Sequence, residues 1–241
     1  MAKSQTKSKE RVAEHGEVFT AEREVKAMCD LVQNMCEDYS KRFLEPACGD
    51  GNFLAEILTR KLDSVKKKYK RSTYDYERFS VFAITSIYGV DIMQDNVMEC
   101  RNRLFSIWDK EYKAICKKEV NEQTREAVKY ILSKNILCGN ALTLMCVDEN
   151  QQDTDTPIIF PEWSVVGGTN LKRRDFRLDV LLKVGEKPQE KKQKSLFDDE
   201  DDIYKYLTLN PVTGEYIAKP IKEYPQLPYR RINENDWIFF W

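Results

Sequence analysis

The chain has 241 residues, 39 Lys+Arg against 40 Asp+Glu for a formal net charge of −1, and is 41% hydrophobic and 33% charged. At about 150 residues per domain there is room for one core with appendages, and the apolar content excludes a chain disordered throughout. No apolar run approaches the roughly 20 residues that span a bilayer, and a net charge near zero confines any attraction for nucleic acid to local patches.

The N-terminal stretch MAKSQTKSKERVAEHGE has lysines but no apolar segment behind them, so no secretory signal is expected and the cytoplasm is the expected location. Residues 1–13 read as a loose basic arm. From Thr20 to about Cys36 the apolar positions Val25, Met28, Cys29, Leu31, Val32 and Met35 recur at helical spacing. A short strand over 42–45 then runs into a turn with two glycines, followed by an amphipathic helix carrying Phe53, Leu54, Ile57, Leu58 and Leu62. The charged stretch 66–79 lacks a regular apolar face and reads as a helix end and a loop.

SIYGVDI (86–92) is a compact apolar strand ending in an acid, and 96–108 a helix with Val97, Cys100, Arg101, Leu104 and Ile107 at spacings of three and four. A second helical stretch, 110–133, leads to a third short strand in NILCGNAL (135–142), and PIIF (157–160) is a candidate fourth strand. Strands alternating with helices imply a parallel sheet covered by helices. After about residue 165 come a basic cluster with a short helix, a charged linker (184–202), a hairpin over 206–217 and a proline-rich extended end. The closing Trp237–Trp241 is apolar enough to dock on the domain or on a partner.

The seven cysteines (Cys29, Cys36, Cys48, Cys100, Cys116, Cys138, Cys146) form no close C-x-x-C pair and read as buried reduced thiols. With His15 the only histidine, neither a His-rich metal site nor a Ser-His-Asp triad is supported, and no metal is expected.

The strongest constellation is Glu45-Pro46-Ala47-Cys48-Gly49-Asp50-Gly51-Asn52-Phe53, at the end of the first strand and the start of a helix. Ligands of parallel sheets bind outside the carboxyl ends of the strands. Gly49 and Gly51 allow a close backbone approach, and free helix-start amides favour polar or anionic groups. Asp91 closes the next strand where a nucleoside's ribose hydroxyls are expected, and Asn140 closes the third where a polar side chain meets an adenine edge. The bland alternatives are a tight turn for the glycines and a helix cap for Asp91. Three successive strand ends with suitable groups favour a mononucleoside pocket.

FLEPACGDGNFL (43–54) resembles the S-adenosylmethionine-binding loop of the DNA adenine-N6 methyltransferases, including modification subunits of restriction systems. HGEVFT (15–20) is similar to the segment that precedes this loop and closes over the cofactor's methionine end. Tyr88–Ile92 resembles the ribose-binding strand and Gly139–Leu142 the adenine-contacting turn. The resemblance covers about residues 14–145. It implies that Thr20 helps hold the methionine moiety and that Pro46, Ala47, Gly49 and Gly51 pack on the cofactor, with Glu45 and Asn52 as polar contacts. Asp91 then takes the ribose, Ile92 packs on the adenine, Asn140 accepts from the adenine's amino group, and Ala141 sits beside it.

There are departures. Ala21 stands for the usual proline, Asn140 for the usual aspartate, and Gly51 and Asp91 are further apart than the roughly 20 residues of a compact unit. Amino-methylating members carry Asn/Asp-Pro-Pro-Tyr/Phe after the fourth strand, because two carbonyl acceptors must grip the adenine amino group while an aromatic stacks the flipped base. The corresponding residues here are Phe160, Pro161, Glu162 and Trp163, a degenerate catalytic segment in which Pro161 offers a carbonyl and Trp163 either stacks a base or fills the core. Asn210-Pro211-Val212-Thr213 lies too late. Lys172, Arg173, Arg174 and Arg177 are the candidate DNA-phosphate patch, or an ordinary solvated basic turn.

The expected fold is therefore α/β, a Rossmann-like class I methyltransferase with a mostly parallel sheet and helices on both faces. That domain spans 14–183, followed by the linker and a small C-terminal appendage over 203–241. The expected function is S-adenosylmethionine-dependent adenine-N6 methylation of double-stranded DNA in a restriction-modification or related system, with a specificity or restriction subunit as partner. The alternatives are a catalytically incompetent subunit that binds cofactor or partner, and methylation of a protein or small molecule.

Overall fold

The computed structural model describes residues 11, 13, 20–184 and 203–236. In chain order the first part comprises α1 (Glu22–Leu31), α2 (Gln33–Glu37), β1 (Phe43–Glu45), α3 (Asn52–Tyr69), α4 (Thr73–Ile84), β2 (Ile87–Asp91), α5 (Gln94–Cys116), α6 (Glu122–Asn135) and β3 (Ile136–Cys138). β4 (Met145–Val147), β5 (Asp153–Pro157), β6 (Ile159–Val166), β7 (Asn170–Arg177) and α7 (Leu178–Leu181) follow. Beyond the linker lie β8 (Leu207–Leu209), β9 (Tyr216–Ala218), β10 (Lys222–Glu223), β11 (Leu227–Pro228) and a 3₁₀ segment, Tyr229–Asp236.

The fold is mixed α/β. β1, β2 and β3 form a three-stranded parallel sheet in that order, with Leu44 beside Tyr88 and Asp91 beside Cys138. The alternation of strands and helices requires this direction, because each strand returns only after a helical crossover. A β-carbon on Gly89 would meet Leu54 of α3 at 3.0 Å, so that face of β2 rests directly on the helix following β1. The opposite face carries Tyr88, whose ring meets Phe160 of β6 edge-on at 5.3 Å and whose hydroxyl donates to the Pro161 carbonyl.

The fourth strand expected in PIIF does not join this sheet. Its Pro157 closes β5, and its Ile159 and Phe160 open β6, which pairs antiparallel with β7 over eight residues from Ile159↔Arg177 to Val166↔Asn170. Gly167 and Gly168, both at positive φ, turn the chain between them. On its other edge β7 takes β10 and β11, so residues after the linker complete the second sheet rather than standing apart as an appendage. The hairpin over 206–217 is β8 and β9, with Asn210 accepting from the Val212 N–H in its turn. Linker residues 185–202 and the closing Trp237–Trp241 lie outside the described residues.

The 66–79 stretch differs from its expectation for a physical reason. α3 runs to Tyr69, and after a brief turn Ser72 caps α4 by accepting from the Asp75 N–H. α4 buries polar Glu77 and Ser80 along with Tyr76, so its inward face does not look apolar. Glu77 accepts from Tyr112 of α5 (2.5 Å), Thr124 of α6 (3.0 Å), and Tyr229 and Arg230 of the C-terminal segment (2.5 and 2.6 Å). Burial alone would raise its carboxyl. The hydrogen bonds from Arg230, Tyr112 and Tyr229 outweigh that and hold it below the usual carboxylate range.

Lys61 is a further buried charge, set behind the loop that enters β1. From α3 its ammonium donates to the carbonyls of Asp38 (2.6 Å) and Lys41 (2.7 Å) and lies 5.1 Å from the Phe43 ring centroid, which fixes the loop entering β1. All seven cysteines are free thiols. Among the described residues no helix is long and apolar enough to cross a membrane.

Two outcomes are expected. Glu77→Ala, which leaves Arg230 without its buried partner and three hydroxyls without an acceptor, lowers unfolding stability by about 3–5 kcal/mol in urea titrations. Lys61 is pushed down to about 8 by burial, below the 10.5 of an exposed lysine, so the unfolded chain binds more protons between those values and this contribution rises with pH across that window. The gain is at most about 3 kcal/mol. The difference in unfolding free energy between wild type and Lys61→Met, measured from pH 7.5 to 10.5, should move in favour of the wild type by up to that amount.

Candidate functional site

The ends of the three parallel strands are tied together beyond the strands themselves. The Cys48 N–H donates to the Val90 carbonyl at 2.9 Å and the Gly139 N–H to the Asp91 carbonyl at 3.0 Å. Between these backbone ties the Asp91 carboxylate reaches back to the loop. Its Oδ2 accepts from the Gly49 N–H at 2.8 Å, and its Oδ1 from the Met93 N–H at 2.9 Å and from Asn96 Nδ2 at 3.1 Å. A carboxylate offers about four acceptor positions. These three bonds leave one open, and Asp91 is only half-buried.

Local chemistry dictates the loop's shape. Gly51 sits at φ +89°, and a β-carbon there would lie 2.7 Å from Cys100 Sγ, so both conformation and space require glycine. Cys48 and Cys100 are buried together, and the Cys48 thiol is pushed up by its hydrogen bond with Cys100 and by burial, which keeps it a neutral packing group. Pro46 and Ala47 are exposed, while Glu45, Gly49 and Asn52 are half-buried. Burial raises the Glu45 carboxyl, partly offset by the Ala47 backbone hydrogen bond.

The other expected cofactor residues gather around the same edge. Thr20 accepts through its carbonyl from Asn52 Nδ2 at 3.3 Å, whereas residues 15–19 lie outside the described residues. Ile92 and Ala141 are half-buried at the ends of β2 and β3. Asn140 caps its own turn: its Oδ1 accepts from the Leu142 N–H at 3.0 Å and its Nδ2 donates to Asp153 at 3.0 Å. One acceptor position on its oxygen remains for a ligand.

Reading the sequence missed the face of α5 that seats this edge. Asn96 holds Asp91, Cys100 underlies Gly51, and Arg103 donates to Asn52 Oδ1 at 2.6 Å and to Asp50 Oδ1 at 3.2 Å. These positions are spaced at i, i+4 and i+7, one face of a helix. That spacing was visible in the sequence, but a polar–thiol–cation stripe carries no apolar signal. At the mouth, Arg11 pairs with Asp95 at 2.6 Å and reaches Asn96 at 3.4 Å.

The segment Phe160–Trp163 is not at this edge. β6 crosses the sheet's opposite face, from Ile158 against Gly139 to Glu162 paired with Arg42 just before β1. Phe160 and Trp163 are buried, and Trp163 Nε1 donates at 2.8 Å to Asn135, which itself donates to the carbonyls of Ile84 at the end of α4 and Ile87 at the start of β2. Trp163 is thus a core aromatic at the far end of the strands from Asp91. Pro161's carbonyl is taken by Tyr88, and Glu162 pairs with Arg42 and Arg174.

The basic cluster is a strand, not a turn. Arg173 and Arg177 are buried, paired with Asp175 and Asp179, and Arg173 also bonds Asp236. Lys172 and Arg174 face outward, paired with Glu223 and Glu162. Among the described residues no group of three or more His, Cys, Asp or Glu could hold a metal ion. No family model, curated protein or solved structure matches this chain.

The contact between Gly51 and Cys100 makes a specific expectation. Gly51→Ala should destabilise by about 1–3 kcal/mol, and in a double-mutant cycle Cys100→Ala should return at least about 0.5 kcal/mol of that loss. Additivity of the two changes in urea unfolding would show that the loop does not rest on that sulfur.

Proposed function

We propose that this chain binds S-adenosylmethionine at the edge formed by Gly49, Gly51, Asp91 and Asn140. In this reading it is the cofactor-holding part of a Rossmann-like class I methyltransferase acting on adenine N6 in double-stranded DNA, in a restriction-modification or related system. The observation that carries the reading is the Asp91 carboxylate, held at the strand end by the Gly49 amide with one acceptor position still open. A nucleoside diol needs such an acceptor beside a loop without β-carbons. The resemblance of FLEPACGDGNFL to the cofactor loop of adenine-N6 methyltransferases supplies the chemical class.

The residues present fit the cofactor. Asp91 would take a ribose hydroxyl, and Ile92 and Ala141 offer apolar surface for the adenine, with the remaining acceptor of Asn140 at its edge. Thr20, Pro46, Ala47, Gly49, Gly51 and Asn52 would line the methionine end, with Glu45 the carboxylate nearest its ammonium. When bound, the cofactor supplies an electrophilic methyl group. The chain's part is to orient it, through a loop pinned by Arg103 on one side and Asp91 on the other.

A second reading has its own support. Phe160, Pro161, Glu162 and Trp163 are committed to the core and to ion pairs, so they do not offer the paired acceptors that an amino group requires. This favours a subunit that holds cofactor and completes its site with a partner, such as a specificity or restriction subunit. For DNA, Lys172 and Arg174 are the outward cations of the cluster, and a phosphate there would displace Glu223 or Glu162.

Titration calorimetry with S-adenosylmethionine tests the pocket. Saturable binding weakened at least tenfold by Asp91→Ala is expected, and no saturable heat at millimolar ligand would sink the reading. Labelled methyl transfer to duplex DNA adenine by the isolated chain would discard the partner-dependent version.

A further inference from the structure

We infer that Arg11 is a positioning residue for the ligand edge: acting through Asn96, it fixes the direction in which the Asp91 carboxylate points. Residues 1–13 read as a loose arm in the sequence, yet Arg11 forms a fork on Asp95, 84 positions along the chain. Its Nη1 donates to Asp95 Oδ2 at 2.6 Å and its Nη2 to Asp95 Oδ1 at 3.2 Å, the geometry that fits a planar guanidinium to a carboxylate. Asp95 Oδ1 also accepts from the Asn96 N–H at 2.9 Å, which anchors the fork on the first turn of α5. From that seat Arg11 Nη2 reaches Asn96 Oδ1 at 3.4 Å, and Asn96 Nδ2 donates to Asp91 Oδ1 at 3.1 Å.

The chemistry of the amide makes this chain directional. A side-chain amide has one acceptor end and one donor end. Asn96 is 1% exposed, so both ends need partners within the protein. With a guanidinium on one side and a carboxylate on the other, a single orientation suits both: oxygen towards Arg11, nitrogen towards Asp91. Turned over, the amide would set its oxygen against the carboxylate and its N–H groups against the cation. Arg11 also polarises the amide, which strengthens the donor that Asp91 receives. A carboxylate moves as one plane. Loosening Asp91 Oδ1 from Asn96 therefore also loosens Oδ2 from the Gly49 N–H, now at 2.8 Å.

The bland alternative is a surface ion pair. The Arg11 and Asp95 side chains are 20% and 49% exposed, and such pairs add little to stability. At 3.4 Å the bond to Asn96 is itself weak. Its effect is on orientation, so losing it should disturb the Asp91 edge far more than the fold. That this edge binds S-adenosylmethionine rests on the reading above; that Arg11 orients Asp91 does not.

The test is hydrogen exchange at single amides, followed by NMR in the ligand-free full chain, for wild type, Arg11→Met and Asp95→Ala. Exchange of the Gly49 N–H should quicken at least about threefold in both variants. The Gly139 N–H, bonded to the Asp91 backbone carbonyl rather than its side chain, should keep its rate, and the Tm of Arg11→Met should stay close to wild type. An unchanged rate at Gly49 would overturn the inference, and so would equal quickening at Gly139, which would make Arg11 a general support of the fold. In calorimetry with S-adenosylmethionine, Arg11→Met should bind at least about threefold more weakly, and that loss should disappear in an Asn96→Leu background. A loss of the same size in both backgrounds would show that Arg11 does not act through the amide and would also overturn it. Absence of binding by the wild type at millimolar ligand would sink the cofactor reading, while the exchange rates would still decide this one.

Discussion

The Glu77 carboxylate is the constraint on which the arrangement of this chain depends. A buried charge is tolerable only when its acceptor positions are filled, and here they are filled by α5, α6 and the C-terminal segment together. No one of these elements can shift without exposing the carboxylate's need for a donor. The consequence reaches the second sheet, because the segment carrying Tyr229 and Arg230 follows directly from β11, which pairs with β7. Burial of one carboxylate thus ties a contact 152 residues distant in sequence to the helices that cover the parallel sheet.

The loop edge is organised on the same principle with the opposite outcome. Asp91 has three donors against the four of Glu77; they come from the loop, its own strand end and α5, and they leave capacity over. A fully satisfied carboxylate such as Glu77 is structural. A partly satisfied one at three strand ends keeps an acceptor position that the described residues do not fill. The neighbouring contacts keep the site in shape without occupying it: Gly51 on Cys100, and Asp50 and Asn52 on Arg103.

Much of the parallel half was legible in the sequence, because its signals are local. Helical periodicity gives α1, α3 and α5, and the alternation with strands gives the parallel direction of β1, β2 and β3. What was hidden depends on distant partners. α4 escaped because Glu77 and Ser80 face inward, and their partners Tyr229 and Trp108 are far along the chain. The basic cluster looked like a surface patch because Arg173 and Asp175, two apart on one strand face, pair with each other inside. The PIIF strand was recognisable as a strand, but its partner was not: β7 lies on a stretch that reads as a basic cluster with a short helix.

The placement of β6 keeps Phe160–Trp163 away from the Asp91 edge. Eight registered pairs with β7, the Tyr88 hydroxyl on Pro161, and the Trp163 bond to Asn135 fix the segment along its length. Releasing Phe160–Trp163 towards the Asp91 edge would break the hairpin and strip two buried aromatics from the core, at a cost comparable to the stability of a whole domain. A mere loop rearrangement therefore cannot bring those residues to a ligand at Gly49 and Asp91.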